Sequence, residues 1–184
     1  MAICKNGHRI SMLVEGKPRL GFQTFSKVVA TGTKGICISR LHPDYVSQKF
    51  GLERTTRYWL SDCRSKSSLS PRALDKITKA IRSSVAKEPS SVILLDGLEG
   101  LLVCHDLSKV VSFLREVDAV LSKSDSEMVI CVDQPAFEAK DLEALFRIFP
   151  RCSPEEMSMT LARPQPQVSL VSVRSGMVQA VPSR

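Results

Sequence analysis

The chain lacks the short motifs that usually mark a nucleotide-hydrolysing enzyme or a metal site. None of its 184 residues form a G-x-x-x-x-G-K-[ST] motif, so the glycine-rich loop and lysine that wrap phosphates are missing. Its six cysteines form no C-x-x-C pair, and Cys104-His105 is the only close pair of cysteine and histidine. We therefore expect no metal and no cofactor.

Long apolar runs are also missing. Runs such as those at 92–95 and 101–104 are far shorter than the roughly 20 residues of a membrane-spanning helix, and no basic-then-apolar leader opens the chain. Cys37, Cys104 and Cys131 lie in apolar, strand-like runs, and we interpret the cysteines as small buried side chains in a reducing compartment. These patterns predict a cytoplasmic protein with no membrane contact.

Aromatic residues make up only 5% of the chain, whereas basic residues are plentiful and unevenly placed. Up to residue 91 there are 17 Lys or Arg against 6 Asp or Glu, and beyond it 9 against 13. The basic half could contact nucleic acid or an acidic partner. A solvated helix face is the favoured interpretation, because no aromatic side chains interleave with the charges as single-strand stacking requires. The densest basic positions are Arg54, Arg57, Arg64, Lys66, Arg72, Lys76, Lys79 and Arg82.

Apolar runs alternate with amphipathic stretches at the spacing of β-α-β units. This pattern predicts a three-layer α/β fold, a mostly parallel sheet with helices on both faces. Strands are expected at 10–15, 35–39, 56–60, 92–95 and 128–132, and helices at 20–31, 43–50, 70–85, 107–121 and 138–149. Ser70 is the expected cap of the third helix, with Pro71 in its first turn, and Asp106 that of the fourth.

The composition changes after Pro150, which divides the chain into an α/β domain at 1–150 and a tail at 151–184. Residues 152–167 are rich in Pro, Ser and Gln, which is typical of a linker or a disordered segment. The run 168–181 is compatible with a hairpin turning at 175–176, with an edge strand or with a frayed end.

Several motifs occur in an order that resembles a known family. They are S-M-L-V-E-G-K-P-R-L-G-F-Q-T-F through K-G-I-C-I-S-R at 11–40, then Pro43, Gly51-Leu52, W-L-S at 59–61 and V-I-L-L-D-G-L-E at 92–99. Over roughly residues 8–150 the chain is similar to the archaeal domain of unknown function 835, although Gly100 stands where an aromatic residue is more usual. The resemblance implies a signalling context, beside sensor and histidine-kinase modules, and no assigned activity.

That family in turn looks like the core of KaiC and RecA-type ATPases, which implies a degenerate form of their fold. In those enzymes a long loop after the first strand cradles phosphates, whereas here the loop 16–21 is short, Pro18 lacks an N–H and Lys17 precedes the turn. Where those enzymes carry a pair of glutamates after the second strand, this chain has Ser39-Arg40. A guanidinium cannot accept a proton, so the general base is lost and we expect no ATPase activity.

Asp96 ends the buried strand where such enzymes present an acid to Mg²⁺. A structural role is favoured, in which Asp96 caps the turn through Gly97 or pairs with Arg40 across the strand ends. Acid-base work by Asp96 and Glu99 together is a less favoured alternative. The ligand-binding candidates are Lys17, Arg19, Ser39, Arg40, Asp96 and Glu99, and the interaction-surface candidates are Arg54, Arg57, Trp59, Arg64 and Lys66.

Three functions remain open. The favoured one is a non-catalytic signalling or protein-interaction domain whose partner is a protein, such as a sensor or kinase module. The second is a binder of a phosphate ligand or nucleic acid through the basic half, with Lys17, Arg19 and Arg40 as point charges. The third is an enzyme of unrecognised chemistry. A homodimer, through an edge strand near Trp59 or through the tail, is compatible with each.

Overall fold

A computed structural model of the protein describes residues 7–15 and 19–161. The strands are β1 (Ile10–Val14), β2 (Gly35–Ser39), β3 (Thr56–Leu60), β4 (Ser68–Leu69), β5 (Val92–Asp96), β6 (Glu127–Val132) and β7 (Arg151–Cys152). The helices are α1 (Leu20–Ala30), α2 (Pro43–Phe50), α3 (Leu74–Lys87), α4 (Leu98–Cys104), α5 (Leu107–Leu121), α6 (Ala139–Ile148) and α7 (Pro154–Leu161).

These strands form one sheet in the order β4-β3-β2-β5-β6-β1-β7, and all of the pairs are parallel. Two apolar clusters cover its two faces. Helices α1, α2 and α7 pack on one face through residues such as Phe22, Val46 and Met157, and α3 to α6 pack on the other. The expected three-layer α/β fold is therefore confirmed, and the carboxyl ends of all the strands meet at one edge of the sheet.

Three local predictions are wrong. Helix α3 begins at Leu74, because the Ser70 hydroxyl donates to Asp62 and accepts the N–H of Arg72, which holds 70–73 in a turn. The run 101–104, interpreted as strand-like, belongs to α4, so Cys104 ends a helix and is only half-buried. Cys63 is exposed, whereas Cys37, Cys131 and Cys152 are buried as expected.

The two outermost strands of the sheet are short. The edge strand near Trp59 is β4, which pairs outside the strand of Trp59 at Trp59↔Ser68 and Leu60↔Leu69. The linker expected from Cys152 is wrong as far as Leu161: β7 pairs with β1, and α7 packs against α1 with Met157 fully buried. The segment 168–181 lies outside the described residues, and no helix within them is long and apolar enough to cross a membrane.

Candidate functional site

The candidate site lies at the carboxyl ends of β2 and β5, which are neighbours in the sheet. Ser39 and Asp96 are the last residues of these strands and lie opposite each other. The Ser39 hydroxyl donates a hydrogen bond of 2.8 Å to Asp96 Oδ2, and its oxygen accepts the N–H of Leu41. Asp96 is only 7% exposed, so this bond fixes a carboxylate that has left most of its water.

Two arginines flank the Asp96 carboxylate. Arg40 lies 3.7 Å from Oδ1 and Arg19 lies 3.6 Å from Oδ2, so each carboxylate oxygen faces one guanidinium. The predicted pairing of Asp96 with Arg40 is confirmed. Arg40 and Arg19 stay 46% and 39% exposed, which leaves both guanidinium groups in contact with solvent. The buried Asp96 carboxylate is thus paired with two arginines whose guanidinium groups reach the surface.

Arg40 brings together three of the motifs that carry the family resemblance. Its guanidinium lies 2.5 Å from Glu99 Oε1, in the L-L-D-G-L-E motif. Its carbonyl oxygen accepts the indole N–H of Trp59 at 3.0 Å, and its own N–H donates to the Asp96 carbonyl. The I-S-R, W-L-S and L-L-D-G-L-E motifs are therefore parts of one contact network, which we call the Arg40 cluster (Ser39, Arg40, Trp59, Asp96 and Glu99).

Gly97 makes room for this cluster. Its φ of +126° is unfavourable for residues with a side chain, and a Cβ there would lie 2.7 Å from Arg40 Cγ. The stem of Arg40 therefore lies over the Gly97 backbone at the start of α4. By contrast, a Cβ at Gly100 would make only an ordinary contact, 3.8 Å from Arg40 Cδ.

Glu99 experiences opposing influences on its ionisation. Burial raises the pKa of its carboxyl, the nearby Asp96 and Asp133 act in the same direction, and Arg40 and a backbone hydrogen bond lower it. Burial is the largest effect, so the pKa lies above its usual value. A carboxyl of this kind can exchange a proton, and one of its two oxygens, Oε1, already lies against Arg40.

A carboxylate of the protein itself occupies the N-terminus of α1. Glu15 follows β1, and its Oε1 accepts the N–H of Gly21 at 3.2 Å. A Cβ at Gly21 would overlap Cys131 Sγ and lie 2.8 Å from Glu15 Oε1, so only glycine lets the carboxylate approach so closely. Arg19, just before the helix, has a φ of +69°. Helix N-termini attract anions, and here the anion is Glu15.

The ligand-binding candidates thus fall into two groups. Arg19, Ser39, Arg40, Asp96 and Glu99 meet around Asp96 and Arg40, whereas Lys17 lies outside the described residues. Neither the contact of Glu15 with α1 nor the Trp59–Arg40 bond was predicted from the sequence. A carboxylate directly after the first strand, followed by a glycine at the next helix start, was the available signal for Glu15.

The interaction-surface candidates do not form one surface. Arg57 is half-buried and donates to the carbonyls of Leu52, Glu53 and Thr55, so its role is structural. Exposed Arg54 precedes β3 and so lies at the amino ends of the strands. Arg64 and Lys66 follow β3 and so lie at the carboxyl ends. Trp59 is half-buried and stands edge-on to His42, with ring centroids 4.9 Å apart.

No group of three or more Cys, His, Asp or Glu in 7–15 and 19–161 has the arrangement of a metal site. The structure thus defines a three-layer α/β domain with an arginine-centred polar cluster at the carboxyl edge of its parallel sheet. The profile of a protein family described as "Protein of unknown function (DUF835)" matches residues 15–149. The chain belongs to this family, and the match contains the whole Arg40 cluster. No curated protein matches the chain.

Proposed function

We propose that this chain is a non-catalytic signalling or protein-interaction domain with a degenerate RecA/KaiC-like core. The observation that carries the proposal is the bond from Gly21 N–H to Glu15 Oε1. In a P-loop protein the N-terminus of the helix after the first strand binds phosphate. A carboxylate at that place repels phosphate and occupies an N–H that would bind it.

The Arg40 cluster supports the same conclusion. Asp96 lies beside Arg40 and Arg19, and its carboxylate accepts the Ser39 hydroxyl. Glu99 also lies beside Arg40, so each of the two carboxylates already has a cationic partner. Activating a water molecule needs a free carboxylate within hydrogen-bond reach. The cluster and the neighbouring Arg19 instead present two half-exposed guanidinium groups and an aromatic ring, residue types that are common at protein interfaces.

The absence of catalysis is tested with purified protein, ATP and Mg²⁺. We expect no release of phosphate above that of the buffer alone. Turnover near about 1 s⁻¹, within the ordinary range of enzymes, would contradict the proposal if Asp96→Ala or Glu99→Ala abolished it. Glu15→Gln is measured in the same assay. This variant removes the charge that repels phosphate and keeps a side-chain oxygen that accepts the Gly21 N–H.

The interaction role is tested with the sensor or kinase module encoded nearest to this chain, titrated by calorimetry. Arg64→Glu and Arg54→Glu reverse exposed charges at opposite edges of the sheet. If the partner binds at the carboxyl edge, Arg64→Glu weakens binding and Arg54→Glu does not. Equal effects of the two variants would reject a carboxyl-edge interface, and no binding by any such module would remove the support for a signalling role.

A further inference from the structure

A groove lies beside β4, the outermost strand at one side of the sheet. It is an open groove of about 490 Å³, formed by the loop 61–67 between β3 and β4 and by the start of α3. Pockets for small ligands typically measure roughly 300–1,000 Å³. Because the loop follows the carboxyl end of β3, the groove opens at the same edge of the sheet as the Arg40 cluster.

Three cations line this groove without a countercharge. Arg64, Lys66 and Lys76 make no ion pair with any residue that the structure describes. Other arginines of this region are paired: Arg72 lies 3.4 Å from Asp62, and Arg82 lies 3.3 Å from Glu116. The groove therefore holds three like charges that an anion would neutralise.

The one acidic residue in the lining, Asp62, is already paired with other residues. Asp62 pairs with Arg72 through Oδ2 and accepts the Ser70 hydroxyl through Oδ1. Its charge is thus balanced by an arginine outside the set of three. The local excess of positive charge in the groove remains.

Hydroxyl groups supply hydrogen-bond donors next to the cations. Ser61, Ser65 and Ser68 line the groove, and the Ser65 and Ser68 hydroxyl oxygens are 2.7 Å apart. Serine hydroxyls rotate to suit an acceptor, so these can donate to phosphoryl oxygens. No aromatic residue lines the groove, so it offers no platform on which the bases of single-stranded nucleic acid could stack.

We propose that this groove binds the phosphoryl group of a small anionic ligand, with Arg64, Lys66 and Lys76 as countercharges. This inference deepens the proposed function, since it gives the interaction domain a regulatory ligand. It rests on that function only in treating the domain as a binding module. The site differs from the one expected around Lys17, Arg19 and Arg40, where Asp96 and Glu99 already neutralise the described arginines.

The test is a calorimetric titration at constant ionic strength with inorganic phosphate and, separately, with O-phosphoserine. The groove variant carries Arg64→Gln, Lys66→Gln and Lys76→Gln. The matched control carries Lys27→Gln, Lys49→Gln and Lys87→Gln, which removes the same charge from exposed positions on α1, α2 and α3 away from the groove. We expect saturable binding that weakens about tenfold or more in the groove variant and persists in the control.

Tighter binding of O-phosphoserine than of inorganic phosphate would identify a phosphate ester as the ligand class, and the reverse would identify the free ion. No saturable binding of either probe, or equal weakening in both triple variants, would overturn the proposal. Binding of a single-stranded oligonucleotide without binding of the small probes would also overturn it. Arg64→Gln alone, at an exposed loop position, repeats the test if the groove variant fails to fold.

Failure here is distinguishable from failure of the proposed function. If the partner module binds while phosphate does not, the interaction domain stands and the phosphate site falls. If phosphate binds while no module does, the groove stands and the signalling role loses its support.

Discussion

Ser39 and Asp96 end two adjacent parallel strands in register, and a hydrogen bond of 2.8 Å joins the serine hydroxyl to the aspartate carboxylate. Both side chains are buried. The bond therefore replaces water that the carboxylate lost on folding, and the geometry of the Arg40 cluster depends on it.

Ser39→Ala tests that dependence. Removing the hydroxyl leaves Asp96 without its closest described donor and Leu41 N–H without its acceptor. We expect the free energy of unfolding to fall by about 1–3 kcal/mol, measured by urea denaturation. Ser112→Ala, which removes an exposed hydroxyl on α5, is the control, and we expect a change within about 0.5 kcal/mol. Equal effects of the two variants would show that the Ser39 bond is unimportant.

The coupling between Arg40 and Glu99 can be measured with a double-mutant cycle of Arg40→Met and Glu99→Gln at neutral pH. Their atoms lie 2.5 Å apart and Glu99 is largely buried, so we expect a favourable coupling of about 0.5–2 kcal/mol. The exposed pair Arg82 and Glu116, 3.3 Å apart, serves as a control with coupling below about 1 kcal/mol. A coupling near zero at Arg40 would mean that the pair does not hold the cluster together.

Glu99 is expected to make stability depend on pH in an unusual direction. Burial raises the pKa of this carboxyl above its ordinary value, so the folded state holds the proton more tightly than the unfolded state. Its contribution to stability is largest below the unfolded pKa and is lost as the pH rises through the folded pKa. The unfolding free energy of the natural protein relative to Glu99→Gln should therefore fall as the pH rises above the ordinary pKa of a glutamate, about 4.3.

Glu138 provides a control with the opposite sign. A hydrogen bond and the charge of Lys140 lower the pKa of the Glu138 carboxyl. Its contribution is present above the unfolded pKa and is lost as the pH falls, so the comparison with Glu138→Gln should show a stability difference that rises with pH. A flat or rising difference for Glu99→Gln would contradict the prediction made for Glu99.

Replacing Gly21 or Gly100 with alanine is expected to change the free energy of unfolding in opposite directions. At Gly21 the new methyl group would overlap Cys131 Sγ and push Glu15 away, so we expect a loss of about 1–3 kcal/mol in the unfolding free energy. At Gly100, inside α4, the methyl group meets only Arg40 Cδ at 3.8 Å. Alanine is the better helix former there and should add about 0.5–1 kcal/mol. Thermal or urea denaturation distinguishes the two, and equal signs would contradict the geometry.

Helix α7 is expected to contribute to the stability of the domain. Met157 is fully buried against α1, so Met157→Ala should cost about 2–5 kcal/mol in urea denaturation. Glu155→Ala, at an exposed position on the same helix, should change stability by less than about 0.5 kcal/mol. A small effect of Met157→Ala would favour the linker that the composition predicted.

The repetitive elements were predictable, and the short or irregular ones were not. Buried parallel strands such as β5 are continuous apolar runs, and α5 combines a periodic apolar face with an Asp106 cap, so local rules suffice for both. Helix α4 has seven residues, too few to show a helical period. Helix α7 is rich in polar residues and lies in the stretch 152–167, whose Pro, Ser and Gln content is typical of a linker. Only packing against α1 makes 154–161 a helix of this domain.

The order of apolar runs and the lack of a phosphate-binding loop were properties of the sequence by itself. They were enough to predict a parallel α/β domain, and they offered the pairing of Asp96 with Arg40 as one of two structural roles for Asp96, since parallel strands bring their carboxyl ends to one edge. Only the tertiary structure decided that Glu15 occupies the N-terminus of α1, that Trp59 donates to Arg40 and that three cations share a groove beside β4. These contacts join residues from loops and strand ends, whose positions depend on how the layers pack and not on any local pattern.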